Sequence, residues 1–219
     1  MSARESIWAV LPVKEFAGAK QRLASSLTQE QRRALAVCML EDVLEALATV
    51  AELGGILVVT EDRAAAALAR RYGAEVSGEN ARSGHTGAVA AAARRLGAEG
   101  RAGMITMPGD IPAITAAEVS AALAAHKPAP SFTIVPAHDD LGSNAIICSP
   151  PNAVPLQFGD SSFFPHLDAA RRAGIEPTIV RLPGIAMDID HPADLARFLQ
   201  MEPSRPTRAR TFLADAKVP

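Results

Sequence analysis

Six charged side chains fall at places where a fold could put them to chemical use. Asp110 sits within Pro108-Gly109-Asp110-Ile111-Pro112, directly after the apolar run Gly103 to Met107. Asp188 and Asp190 flank Ile189, and residues two apart on an extended segment share a face. Carboxylates so placed suit Mg2+, a hard ion that takes oxygen ligands and keeps several waters. Asp110 also reads as a turn aspartate, and Asp190, just before His191-Pro192, as a helix N-cap. Asp188 has no such second reading. Lys14, Lys20 and Arg22 follow the first apolar run, which ends at Pro12. Three cations there could cradle a polyphosphate with help from backbone N–H groups. The same spacing fits a solvated basic turn.

Uncharged polar groups gather at two further places. Gly142-Ser143-Asn144 precedes a strand pattern and offers hydroxyl, amide and backbone donors. Phe158-Gly159-Asp160-Ser161-Ser162-Phe163 opens a helix pattern, with His166 one turn inside. A helix N-terminus with two serines is a ready anion site, and either serine could also cap the helix. Gly84-His85-Thr86-Gly87 is a generic turn by itself. His85, His126, His138 and His191 show no partner and read as surface residues, and Cys38 reads as core. Several chemistries are excluded: there is no GxxxxGK[ST], no GxGxxG after the first strand, no GxSxG, no HExxH and no CxxC.

Strand and helix patterns alternate and would position these groups. Ser6–Pro12, 55–60 and 103–107 are short apolar runs, expected as buried strands, with 74–77 a shorter one. Thr28 with Gln31 predicts a capping box and a helix to about Leu53. Asp62 caps a helix to Tyr72, residues 86–96 form an Ala-rich helix, and Thr115 with Glu118 predicts a second capping box and a helix to His126. Residues 131–137, 144–149, 177–182 and 185–188 are expected as strands, and 162–173 as a helix. A last helix is expected behind Asp190. Repeated β-α units imply an α/β fold with a mostly parallel sheet, and the later strand pair an antiparallel addition. Ligands in such folds bind at the carboxyl ends of the strands. Residues 1–200 are read as one domain and 201–219 as a loosely held polar tail.

The chain has 219 residues, 22 Lys and Arg against 24 Asp and Glu, and a formal charge of −2. That balance speaks against a nucleic-acid or anionic-membrane binder. With 48% hydrophobic residues it can build a core without disulfides or structural metal. Two distant cysteines read as thiols in a reducing cytoplasm. The start, MSARESIWAV, holds no apolar stretch long enough for a signal peptide, and the longest uncharged run, 141–159, contains three prolines. A cytoplasmic protein without membrane contact is expected.

Five stretches in order resemble one family. PVKEFAGAKQRLA (12–24), MPGDIP (107–112), LGSNAI (141–146), FGDSSFFPHL (158–167) and DIDHPADL (188–195) are similar to the CofC/FbiD guanylyltransferases of coenzyme F-420 biosynthesis. The resemblance implies a single-domain nucleotidyltransferase fold of the glycosyltransferase-A, Rossmann-like type. It implies transfer of GMP from GTP to 2-phospho-L-lactate, phosphoenolpyruvate or 3-phospho-D-glycerate, with pyrophosphate leaving. By it, Asp110, Asp188 and Asp190 bind Mg2+, and Lys14, Lys20 and Arg22 hold the triphosphate and serve catalysis with Asp110. Pro12, Gly84, Thr86 and Gly87 complete the nucleotide site. Ser143, Asn144, Gly159, Ser162 and His166 form the acid site. The partners implied are GTP and the acid, and a homodimer is an assembly it allows. The His85-Thr86 turn departs from the family's Gly-Leu-Asn-like turn, which leaves base selectivity open. The competing readings are a nucleotidyltransferase for a sugar phosphate or molybdenum cofactor, a glycosyltransferase using Asp188-Ile189-Asp190 as DxD, and a non-catalytic ligand-binding relative.

Overall fold

The first strand, β1 (Ile7–Pro12), is apolar without alternation, as a strand covered on both faces must be. Ala9 and Leu11 enter the cluster built with helix α1 (Gln29–Ala48). Trp8 and Val10 enter the opposite cluster, built with α3 (Gly84–Ala98). A computed structural model describes residues 6–202 and 205–216. Residues 1–5 of the leader reading, and 203–204 and 217–219 of the expected tail, lie outside the described residues.

β1 is flanked in parallel by β2 (Leu53–Val59) and β4 (Gly103–Thr106), with β3 (Glu75–Ser77) parallel beyond β2. Helix α2 (Arg63–Arg71) connects β2 to β3, and α4 (Ala116–Ala125) follows β4. β6 (Ser143–Ser149) then runs antiparallel to both β4 and β5 (Ser131–Pro136). β7 (Thr178–Ile179) closes a seven-stranded sheet of order β3-β2-β1-β4-β6-β5-β7. α5 (Phe163–Arg172) covers the β5–β6 end in a third cluster. The α/β class and the antiparallel addition to a mostly parallel sheet are as expected.

The Thr28/Gln31 capping box is complete, with Gln31 N donating to Thr28 Oγ1 at 3.2 Å and Thr28 N to Gln31 Oε1 at 2.9 Å. α1 stops at Ala48, short of the expected Leu53, because Leu53 already pairs with Ile7 in the sheet. Asp62 caps α2 through Ala64 N and Ala65 N. The second expected box is only half made. Thr115 Oγ1 accepts from Glu118 N, but the Glu118 carboxylate turns away to accept Gly184 N at 2.7 Å. Glu118 thereby holds α6 (Pro183–Ala186), a helical turn where a strand over 185–188 was expected. A β-carbon on Gly184 would collide with Glu118 and the Ala113 carbonyl, so this close approach requires glycine.

Two more terminal expectations are corrected. Asp190 does not cap α7 (Pro192–Gln200). The Asp194 carboxylate does so from inside the helix, accepting His191 N at 2.7 Å and Asp190 N at 3.0 Å. The polar tail contains α8 (Arg208–Asp215), packed on α1. The fully buried Asp42 of α1 accepts Arg208 N and Ala209 N, Arg208 pairs with Glu45, and Ala209 and Leu213 join the main core. The tail's polar sequence hides this anchor because its partners are carboxylates on α1, far away in the chain.

The β5–β6 pair carries a bulge. Val135 stands opposite Ala145 but Pro136 stands opposite Ser143, leaving Asn144 as an extra residue. Ile146 and Cys148 face α5, while Ala145 and Ile147 face the main core. Regular alternation would place Asn144 with Ile146 and Ser143 with Ala145. The bulge reverses both, as bulges do when they re-aim a side chain.

Candidate active site

A cavity of about 1160 Å³ opens at the carboxyl ends of β1 and β4. Its walls come from the loop after β1, the start of α3, residues 108–110, the β5–β6 connection, residues 158–162 and the segment before α7. Nearly all the sequence-selected residues meet there. Pro12, Lys14, Lys20, Arg22, Gly84, Thr86, Asp110, Ser143, Asn144, Gly159, Ser162, Asp188 and Asp190 all line it. Gly87 and His166 do not.

One wall is ionic. The loop after β1 folds into two short 3-10 turns, Phe16–Gly18 and Gln21–Leu23, rather than an open loop. Lys20 joins them in the left-handed region, at φ 53°. That turn drives its ammonium inward, 2.5 Å from Asp110 Oδ2 and 2.7 Å from Asp190 Oδ1. Burial alone would lower the Lys20 pKa, but the two carboxylates more than offset it and the net shift is upward. Asp190 shows the mirror case: burial raises it, and Lys20 and then Arg22 bring it below the usual carboxylate range. Asp188 is pushed up by burial, with the charges of Asp110 and Asp190 adding to this and a bond from Asn144 opposing it. Arg22 stays half-exposed at the rim, 3.4 Å from Asp160 and 3.8 Å from Asp190. Lys14 is exposed on the wall. Ile189 N donates to the Asp110 carbonyl and its side chain enters the core, so Asp188 and Asp190 both face the cavity. Asp110 Oδ1 is buried without a hydrogen-bond partner among the described residues. Among the described residues, no three His, Cys, Asp or Glu side chains form a ready metal cluster; an ammonium draws the acids together instead.

The bulge splits the other wall. Asn144 is turned away from the acid site expected for it. Its Nδ2 donates to the Ile185 and Ala186 carbonyls at 3.1 and 3.0 Å and to Asp188 Oδ1 at 2.9 Å. Ser143 is turned toward α5. There its Oγ lies 2.9 Å from His166 Nδ1 and accepts Ser162 Oγ at 3.2 Å. His166 is 1% exposed, behind the serines. Burial lowers its pKa to about 4. Ser162 begins α5 without a side-chain cap bond, and its hydroxyl donates to Ser143.

Three histidines read as surface residues are structural participants. His85 stacks on Phe158 with ring centroids 4.2 Å apart, and burial lowers its pKa to about 4 against the pull of Asp110. His126 bonds the hydroxyls of Ser131, Thr133 and Ser149. His138 lies 3.8 Å from Asp188 and 3.7 Å from Asp194. Only His191 is exposed as expected. The position of His138, two residues past β5 at the ligand-binding end of the sheet, was the signal available for it. Thr86 accepts Phe158 N at 3.0 Å, tying α3 to the 158–162 loop, whereas Gly87 packs against Ser83. Cys38 is only half-buried; both cysteines are free.

Comparison with known proteins gives a consistent picture. Residues 7–218 match the family model described as "Guanylyl transferase CofC like". The chain is 38% identical over 192 residues to a phosphoenolpyruvate guanylyltransferase of Rubrobacter xylanophilus, covering 88% of this chain and 93% of that one. It is 34% identical over 186 residues to a 3-phospho-D-glycerate guanylyltransferase of Colwellia psychrerythraea, covering 85% and 88%. In structure it resembles a putative nucleotide-diphospho-sugar transferase from Desulfovibrio desulfuricans G20, with TM-score 0.77, 18% identity and 99% and 96% coverage. A nucleotidyl transferase from Methanothermobacter thermautotroptrophicus aligns with TM-score 0.65, 17% identity and 96% and 99% coverage. These two likenesses speak for the fold. No helix among the described residues is long and apolar enough to cross a membrane.

Proposed function

This chain belongs to the family of CofC-like guanylyl transferases, and we propose that it joins the GMP of GTP to the phosphate of a small phosphorylated acid in coenzyme F-420 assembly. Phosphoenolpyruvate is the first acceptor to test and 3-phospho-D-glycerate the second, after the relatives' names; 2-phospho-L-lactate is the third. The free thiols accord with a reducing cytoplasm.

The observation that carries this reading is the pairing of two unlike walls across one cavity. The ionic wall, with Lys14, Lys20 and Arg22, suits a triphosphate. The hydroxyl wall, with Ser143, Ser162 and the unhindered Gly159 backbone, suits a compact anion. An oxygen of the acceptor phosphate, anionic at neutral pH, attacks the α-phosphorus of GTP. The bond from that phosphorus to the bridging oxygen breaks, and pyrophosphate leaves with the electron pair. No side chain need remove a proton, so alignment and charge neutralisation suffice.

Mg2+ fits the donors here. Asp110, Asp188 and Asp190 would hold it, since carboxylate oxygens suit a hard ion and Asp110 Oδ1 has no other partner among the described residues. A bound Mg2+ would neutralise developing phosphate charge. Lys20 holds Asp110 Oδ2 and Asp190 Oδ1, which leaves Asp110 Oδ1 to such an ion, and its ammonium stands beside the place a phosphate would take.

Mass spectrometry of products from GTP, Mg2+ and a mixture of the three acids tests the reading. A guanylylated acid with matching pyrophosphate is expected. Absence of product with every acid would overturn it.

A further inference from the structure

The hydroxyl wall contains a chain of donors whose direction is set by the backbone. Gln157 N donates to His166 Nε2 at 3.0 Å. A neutral imidazole has one donor and one acceptor nitrogen, so accepting at Nε2 leaves the proton on Nδ1. Protonating Nε2 would break the Gln157 bond inside a buried site, which agrees with the His166 pKa near 4. Nδ1–H therefore donates to Ser143 Oγ, 2.9 Å away. The two serine hydroxyls share one further bond, at 3.2 Å. Two hydroxyl protons serve that single bond, so one remains. Whichever serine carries it, the pair faces the cavity as a net donor.

We infer that His166 is a positioning residue for the acceptor: it never touches the acid, but obliges the Ser143–Ser162 pair to present a hydroxyl proton to an anion. This rests on the guanylyltransferase reading and corrects the expectation that His166 binds substrate directly. Its place explains the arrangement. His166 is 1% exposed, stands edge-on to Phe158 at 5.0 Å and is absent from the cavity wall. A serine pair without this donor behind it could turn a lone pair to the cavity and repel an anion. With it, the imidazole N–H occupies a Ser143 lone pair and neither hydroxyl proton is drawn to the ring, so one stays available to the cavity. The bulge at Asn144 completes the device by bringing Ser143 to the α5 side.

The test exploits the two ring nitrogens. Asn at position 166 can place its amide N–H near the Nδ1 site, whereas Gln reaches the Nε2 site. His166→Gln is expected to raise KM for the acid about tenfold, the scale of one hydrogen bond to a charged group, with kcat and KM for GTP within about twofold. His166→Asn should recover most of that loss. Ser143→Ala, which leaves His166 in place, should raise KM for the acid at least as much as His166→Gln. Adding His166→Gln to Ser143→Ala should change little further. An unchanged acid KM in Ser143→Ala, or in a folded His166→Gln, would overturn the inference, as would a loss confined to GTP or equal damage from Asn and Gln. Wild-type protein silent with every acid would overturn the guanylyltransferase reading itself, and this inference with it.

Discussion

Lys20 Nζ stands 2.5 Å from Asp110 Oδ2, and the same ammonium reaches Asp190 at 2.7 Å. Two elements distant in sequence, the loop after β1 and the turn after β4, are thus joined inside the cavity by a cation that also balances the segment before α7. The arrangement makes Lys20 the counter-ion of both carboxylates, and the proposed reaction adds the duty of meeting a phosphate.

Lys20→Met should therefore do two separable things. Turnover should fall on the order of a hundredfold, as when a preorganised charge partner is removed. The melting temperature without metal should also drop, because Asp110, Asp188 and Asp190 lose their buried counter-ion and keep only the half-exposed Arg22 nearby. Millimolar Mg2+ should restore part of that loss in the variant and do little for the wild type. A melting temperature indifferent to both changes would show that Lys20 is not the counter-ion.

The two aspartates flanking His191 should behave oppositely. Asp194→Ala removes the acceptor for two backbone N–H groups and should cost about 1 kcal/mol, or roughly 2–4 °C in Tm. Asp190→Asn should leave this cap intact, since the cap is not its own, while activity collapses. Calorimetry and initial rates on the pair decide it; near-wild-type rates in Asp190→Asn would remove Asp190 from the site.

Asn144→Ala should lower kcat about 10–100-fold, the usual scale for removing a group that orients a metal-site carboxylate, with little change in KM for the acid. A selective rise in acid KM would return Asn144 to the acid site.

Acid should destabilise the protein through its buried histidines. His126 and His166 are both held near pKa 4 by burial, below the ordinary 6.5. Their unfolded forms bind protons first as pH falls, so stability is full above about pH 6.5 and is lost between 6.5 and 4. For His166 the loss at pH 5 is about 2 kcal/mol. Melting curves at pH 7.5 and 5.0 should differ accordingly, and His126→Gln should reduce the difference. Equal melting temperatures would contradict these buried neutral histidines.

Much of the architecture was legible because local rules suffice for it. The unbroken apolar runs at Ile7–Pro12 and 103–107 needed cover on both faces, and Thr28 with Gln31 marked where α1 begins. The site was legible for a related reason. Ligand groups of an α/β sheet must follow its strands, so residues just past β1 and β4 were the ones to weigh.

The chain alone determined which residue types stand at the strand ends and that they are cations, carboxylates and hydroxyls. Tertiary structure decided their partners. Lys20 is a basic-loop residue in sequence and a buried bridge in space, because the acids it meets arrive from 90 and 170 positions away. Asp190 looked like a cap because only local neighbours could be considered, and Asp194 outcompeted it once α7 had a direction. Ser143 and Asn144 are adjacent letters with opposite duties. Their assignment depends on a one-residue slip against Pro136, and strand pairing is a long-range choice that no local pattern records.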